Sequence, residues 1–410
     1  ITKLDISRNE LNHRWPYFLP DGKHFLYNSR TVAGGVGETD ATFLASLDST
    51  FKPRLLLNAG SSIKYSNGHL LFVREQILLA RPFDAKQLEF TDEAFPIADQ
   101  IHFVPGTSKA SFSISDNGIL AYQTGAAADG ALVWFDRRGK QVGAISRIST
   151  YNDLRLSPDG KRIAISDYDS KYKNQDIFLY ETGRDLWTRF TFGPAFDRWP
   201  RWSPDGNTVV FSSRRERSQA LYQRASSGAG NEELLFESDL NKGASDWSTD
   251  GRFLVFHATD PKTLNDIWIL PMKGERKPFL FLQTEFDEWR PVFSPDGRWI
   301  AYESSESGSY QVYILPFTGA GGRRQLSTNG GTRPHWRRDG KELFFLSSDL
   351  KIMAAEIKLG STTVDVGSVR PLFQIRPNLF GPADVYDVTK DGQRFVVFTS
   401  VGMEASSPVT

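Results

Sequence analysis

A two-residue signal, Asp-Gly or its relative Asn-Gly, stands at nine nearly evenly spaced places and constrains this chain more than any other feature. The pairs are Asp21-Gly22, Asn67-Gly68, Asn117-Gly118, Asp159-Gly160, Asp205-Gly206, Asp250-Gly251, Asp296-Gly297, Asp339-Gly340 and Asp391-Gly392, with 42 to 52 residues between successive glycines. A tight connection between antiparallel strands often needs positive φ, which glycine adopts freely and Asn or Asp tolerates better than most. Each pair is therefore read as a hairpin turn. Runs rich in β-branched and aromatic residues follow, among them Arg162–Ile165, Thr208–Phe211, Phe253–Phe256, Trp299–Tyr302 and Arg394–Phe398. Third strands follow in most units, as at Asp176–Tyr180 and Asp266–Leu270, and less regular fourth ones close them, as at Trp187–Thr191 and Pro278–Leu282.

Four short strands in a unit of about 46 residues is the content of one propeller blade. The expectation is an all-β chain: a single domain over residues 1–410, a closed β-propeller of four-stranded antiparallel blades. Nine blades are expected, or eight if one weak unit does not fold as a blade. Units two and three are the weak ones, since Asn67-Gly68 and Asn117-Gly118 lack a preceding Ser-Pro. The ring is expected to close by pairing residues 1–7 with the C-terminal blade, 385–398. Two positions before the turns recur. Phe18, Trp202, Trp247, Phe293 and Trp336 lie three residues before the turn Asp, where they are expected to pack between blades. Pro16, Pro200, Pro291 and Pro334 lie five before it and are expected to mark the start of each innermost strand.

The strings Ser157-Pro158-Asp159-Gly160, Ser203-Pro204-Asp205-Gly206 and Ser294-Pro295-Asp296-Gly297 resemble the WD40-like (PD40) repeats of TolB-type propellers. The stretch His13 to Gly22, and Tyr386-Asp387-Val388-Thr389 before the last turn, are similar to repeats in the C-terminal part of bacterial receptor-type serine/threonine kinases. That resemblance implies the sensor part of a larger receptor, outside the cytoplasm (periplasmic or cell-surface). The TolB resemblance implies protein or peptide partners at the channel face. No Gly-rich loop, His-Arg-Asp or Asp-Phe-Gly of a kinase is present.

The composition narrows the function classes. Net charge is zero, so no overall basic excess favours nucleic acid or an anionic membrane. Basic clusters at Arg214, Arg215 and Arg217 and at Arg337, Arg338 and Lys341 read as solvated loop faces. With no cysteine, thiolate chemistry and Cys-ligated metal are excluded. No apolar run approaches a membrane span. The chain begins at Ile1 and shows no signal peptide, which reads as a mature product or a piece of something longer. There is no Gly-x-Ser-x-Gly nucleophile elbow, no His-Glu-x-x-His, and no sialidase-type Asp box. Asp167, Asp169, Asn174 and Asp176 carry oxygen ligands, but without the glycine and terminal Glu of a calcium loop they read as a solvated hairpin. No cofactor and no metal site is expected.

In a propeller, the segments entering the innermost strands gather at one mouth of the channel. Here they carry His13, Arg14 and Trp15; Asn152 and Asp153; Asp197, Arg198 and Trp199; Glu288, Trp289 and Arg290; and Arg333. Arg and Trp dominate binding hot spots, so these residues are the expected site of a non-catalytic binding or sensing propeller that recognises a protein, peptide or small ligand. The competing account is that Arg and acidic groups pair between blades and hold the ring in register. A channel-mouth hydrolase or lyase, and a structural assembly subunit, are the alternative functions.

Overall fold

The computed structural model describes residues 2–8, 10–31, 41–104, 108–115, 117–124, 130–169, 174–215, 218–317, 322–377 and 384–400. Apart from a 3-10 turn at Ile6–Arg8, the regular structure is all β-strand. The chain divides into two compact units, Ile1–Asp129 with Ser170–Lys173, and Gly130–Asp169 with Asn174–Thr410, where a single domain was expected.

The first unit holds two antiparallel sheets. One is Glu10–Phe18, His24–Thr31, Ala41–Ser46 and Arg54–Leu57. The other is Lys64–Ser66, His69–Arg74 and Ile77–Asp84, flanked by Glu89–Phe90 and Phe95–Ala98. Leu26, Leu44, Leu70, Phe72 and Phe83 form the core that joins them. The third turn, at Asn117-Gly118, carries only the hairpin Phe112–Ile114 with Leu120–Tyr122, beside a second small ladder. Ile119, just before the second strand, and Tyr122 within it are 67% and 46% exposed, unlike the buried second strands elsewhere.

The second unit resolves into six four-stranded antiparallel groups, called sheets below: three stand apart, and three are joined through the long strand Gln141–Leu156 and one parallel bridge, Gln175↔Phe196. Their innermost strands, in order, are the end of Gln141–Leu156, then Phe196–Trp202, Asn241–Trp247, Glu288–Phe293, Thr332–Trp336 and Tyr386–Val388. Successive side chains on a strand point to opposite faces, and in these sheets both faces are apolar. Val209 of the second sheet packs with Ala164 and Ile177 of the first, while Val210 packs with Ala244 and Leu254 of the third. Val255 and Ile267 of the third meet Phe293 and Ile300 of the fourth. Val292 and Trp299 meet Leu343 and Phe345 of the fifth. Phe344 and Ile352 meet Tyr386 and Phe395 of the sixth. Leu132, Val396 and Phe398 of the sixth then meet Leu154 and Ile163 of the first. The succession of packed faces returns to its start.

The sixth sheet draws its strands from distant parts of the chain. Arg394–Ser400 pairs along one edge with Tyr386–Val388 and along the other with Gly130–Asp136, from Gly130↔Ser400 to Asp136↔Arg394. Gln141 to Ser149 adds the fourth strand, and the same long strand continues past Thr150 into the first sheet. Both edges of Arg394–Ser400 are thus occupied, and the fourth-strand place foreseen for residues 1–7 is taken by Gln141 to Ser149. Residues 130–149 would have been the outer strands of the third repeat. Instead they complete the ninth, which leaves the third as a bare hairpin.

The Ser-Pro-Asp-Gly turns are built alike. Ser294 Oγ donates to Asp296 Oδ1 at 2.5 Å and accepts the Trp299 N–H at 3.0 Å. Ser157, Ser203 and Ser248 repeat this arrangement, and Thr389 does so in the last turn. The recurrent prolines do not start their strands as expected. Pro16, Pro200, Pro291 and Pro334 lie inside them, where the register shifts at a β-bulge. A bulge leaves a residue out of the ladder, so the missing proline N–H costs no pairing.

Candidate functional site

Counting back from each turn Asp places the innermost residues of the second unit in layers. Seven residues before it stand Asn152, Arg198, Gly243, Trp289, Thr332 and Asp384. Four before it stand Arg155, Arg201, Asp246, Val292, His335 and Asp387. Asp384 sits at the junction of the two layers. Its carboxylate lies 2.7 Å from Arg201, 3.1 Å from Arg155 and 3.2 Å from Arg290, and it is 2% exposed. Arg290 also pairs with Glu303 at 3.1 Å. His335 lies 3.2 Å from Asp387, and Arg155 faces its imidazole at 3.1 Å.

Charges this deep survive only by pairing. Burial alone would raise the pKa of Asp384, but Arg155, Arg201 and Arg290 hold it well below the usual carboxylate range. Asp153, buried beside it, is pushed up to about 6 by burial and by the Asp384 charge. Asp153 nevertheless accepts the Asp384 N–H at 3.2 Å. Two more carboxylates tie sheet to sheet through backbone N–H groups: Asp246 accepts from Phe293 and Asp387 from Leu156, each at 2.8 Å.

The upper layer is shaped by the bulges. Trp199, Arg290 and Arg333 each precede a proline and have φ of 52°, 48° and 56°. That region is sparsely populated by residues with a Cβ, and steric pressure from proline normally drives its predecessor to an extended form. The conformation is held from outside. Arg290 is clamped by Asp384 and Glu303, and the Arg333 N–H donates to Glu303 Oε1. Trp199 meets His257 edge-on at 5.0 Å, and Trp289 stacks on His257 at 4.5 Å. Gly243 is required there, since a Cβ would lie 2.0 Å from His257 and 2.7 Å from Trp199. Burial, then Arg290 and Arg201, push the His257 imidazole down to about 3, so it stays neutral.

The residues expected at the mouth divide into three groups. Asn152, Asp153, Arg198, Trp199, Trp289, Arg290 and Arg333 do share the hub of the second unit. Asn152 and Arg198 converge on Gln175 Oε1, at 3.3 and 2.6 Å. Asp197 and Glu288 stand one residue earlier on their strands and turn into the sheets instead. Glu288 accepts from Thr284 at 2.5 Å and is pushed up to about 7, mainly by burial. Asp197 is likewise pushed up to about 6 by burial. His13, Arg14 and Trp15 belong to the first unit. There His13 pairs with Glu10 at 3.0 Å and packs on Tyr27, and Lys109 lies over the Trp15 ring.

The lower layer was overlooked at the sequence level, although its signal was present. Aligned on the turn Asp, the fourth residue back reads Arg, Arg, Asp, Val, His, Asp. That is five polar residues of six at a position that the apolar alternation assigns to the interior. Other expectations also change. Asp167 and Asp176 are 3% exposed and paired with Arg147 and Arg189, not solvated, while the Asp169 side chain and residues 170–173 lie outside the described residues. Arg337 pairs with Asp339 and Glu342, and Arg215 with Glu232, while Arg217 lies outside the described residues. Among the described residues, no group of three His, Asp or Glu is placed to hold a metal, and no helix is long and apolar enough to cross a membrane.

Comparison with known proteins bears on the fold. An uncharacterized protein of Agrobacterium fabrum is 24% identical over 207 residues, 48% of this chain and 69% of its own length. An uncharacterized peptidase of Bacillus subtilis is 25% identical over 222 residues, 42% of this chain, and the match spans only 33% of that protein. A solved structure described as TolB of Agrobacterium tumefaciens is 20% identical, covers 67% of this chain and 99% of its own, and superposes with a TM-score of 0.53. Residues 111–287 match the family model of the TolB β-propeller domain, PD40. The resemblance read from the Ser-Pro-Asp-Gly turns therefore stands, and over residues 111–287 this chain carries the repeat of the TolB β-propeller domain family.

Proposed function

We propose that the six sheets of the second unit are the blades of one closed propeller, and that it is a non-catalytic binding module. Its ligand is a protein or peptide, met where the innermost strands begin. One observation carries this reading: the partly exposed layer of Asn152, Arg198, Trp289 and Thr332 stands on a floor whose charges are already paired with one another. A fixed floor below Arg and Trp side chains gives a pre-ordered recognition surface, which loses little freedom on binding. The wider reading follows from the kinase-receptor resemblance: a sensor part of a larger bacterial receptor, placed outside the cytoplasm. The test is capture of partners by the tagged chain, compared with Arg198→Ala and Trp289→Ala variants of unchanged circular dichroism. Loss of the same partner in both variants supports the site, whereas capture that survives both changes removes it.

A second reading, a hydrolase or lyase at the channel, has one observation in its favour. His335 and Asp387 form a histidine–carboxylate pair beside Arg155, the kind of group that acid–base catalysis uses. Burial and the Arg155 charge, however, push the imidazole down, against the protonated form. A hydrolytic activity abolished by His335→Asn, with folding retained, would move the assignment to this reading.

A further inference from the structure

Beyond the Arg155–Asp387 layer, toward the turns, the hub of the second unit opens into a cavity of about 310 Å³. That lies at the lower end of the range for small-ligand sites. Its floor is the charged layer just described. Its wall is the layer three residues before each turn Asp, where four of six side chains are aromatic: Trp202, Trp247, Phe293 and Trp336. These rings do pack between sheets, as the sequence suggested, but they also face the cavity.

The rim is the layer one residue before each turn Asp. There Pro158, Pro204, Thr249 and Pro295 give way on one side to Arg338 and Lys390. These two cations are neighbours, since the Arg338 N–H donates to the Lys390 carbonyl at 3.2 Å. Both are exposed, and neither has a carboxylate within ion-pair distance among the described residues. Burial and the Arg338 charge push the Lys390 ammonium down, against the opposing pull of the Asp159 carboxylate. The floor, by contrast, sets Arg155 and Arg201 against Asp246 and Asp387, with Asp384 between them, and offers an incoming anion no unmatched positive charge. An aromatic-walled cup with a one-sided cationic lip suits a flat apolar body carrying one carboxylate.

We propose that this funnel is a second binding site, for an aromatic carboxylate, either a free acid or the C-terminal residue of a peptide. The ring lies against Trp202, Trp247 and Trp336, and the carboxylate meets Arg338 and Lys390. The site lies on the turn side of the charged floor, away from Asn152, Arg198 and Trp289, so its failure would leave the other mouth untouched.

The full chain is titrated with 3-phenylpropionate, with 3-phenylpropionamide and with the tetrapeptide Gly-Gly-Gly-Phe, and tryptophan emission and heat are followed. Both carboxylates, or one of them, are expected to bind with Kd below about 1 mM, and the amide at least about tenfold more weakly. Tighter binding of the tetrapeptide identifies a chain terminus as the ligand, and tighter binding of the free acid a small molecule. The Arg338→Glu/Lys390→Glu double variant, which changes only exposed side chains, is expected to lose about tenfold or more while Arg198→Ala keeps wild-type affinity. Equal binding of acid and amide, unchanged affinity in the double variant, or no binding of either carboxylate at about 10 mM would each overturn the proposal.

Discussion

A carboxylate as deep as Asp384 would shed its charge if it stood alone, and three guanidinium groups prevent this. The dependence is mutual. Replacing Asp384 with Ala would leave Arg155, Arg201 and Arg290 facing one another, and removing one partner of a buried pair typically costs about 3–5 kcal/mol. The Asp384→Ala variant is expected to show a loss of that size in its urea unfolding midpoint. Glu288 acts in the opposite sense. Burial raises it to about 7 in the folded chain, against 4.5 when exposed. A raised acid contributes stability below its unfolded pKa and loses it as pH rises through the folded one. Glu288→Gln should therefore match the wild type near pH 4.5 and exceed its melting temperature at pH 8. A melting difference independent of pH would contradict the assigned burial. Gly243→Ala is expected to destabilise by about 1–3 kcal/mol in the same urea assay, because its Cβ has no room between His257 and Trp199.

At the scale of the element, the repeated turn is the unit of stability. The Ser294 hydroxyl joins two ends of one hairpin, and Ser294→Ala leaves the Trp299 N–H and Asp296 without it. A cost of about 1 kcal/mol is expected in equilibrium unfolding. The turns and second strands were legible in the sequence because Asp-Gly and the strand period carry local physical meaning. The bulges were not. Arg-Pro and Trp-Pro predict an extended backbone, yet Trp15, Trp199, Arg290 and Arg333 all have positive φ at the bulge before their proline. The same one-residue geometry separated the hub residues from Asp197 and Glu288. A window of neighbouring polar residues could be named from sequence, but which of them point inward depends on where each bulge falls.

At the scale of the molecule, the repeats and the sheets do not match one to one, because strands are shared across distance. Residues 130–149 follow the third turn in sequence yet complete the sheet of the last one, more than 250 residues away. Local pattern cannot report such pairing, since an apolar run such as Ala131–Phe135 fits any sheet that needs an outer strand. The charged cluster depends on this packing of the last sheet against the first. Asp384 and Asp387 come from the C-terminal end, Arg155 from the start of the unit, and they meet only if the last sheet packs on the first. The native chain has no cysteine, so a pair can be introduced without background. With Ala131→Cys and Thr399→Cys, which face each other as Cα partners at partly exposed positions, a short bis-maleimide should link the two peptides in the folded protein and not in urea. Efficient labelling of both thiols by maleimide without any 131–399 link would contradict the closure, and with it the site at the hub.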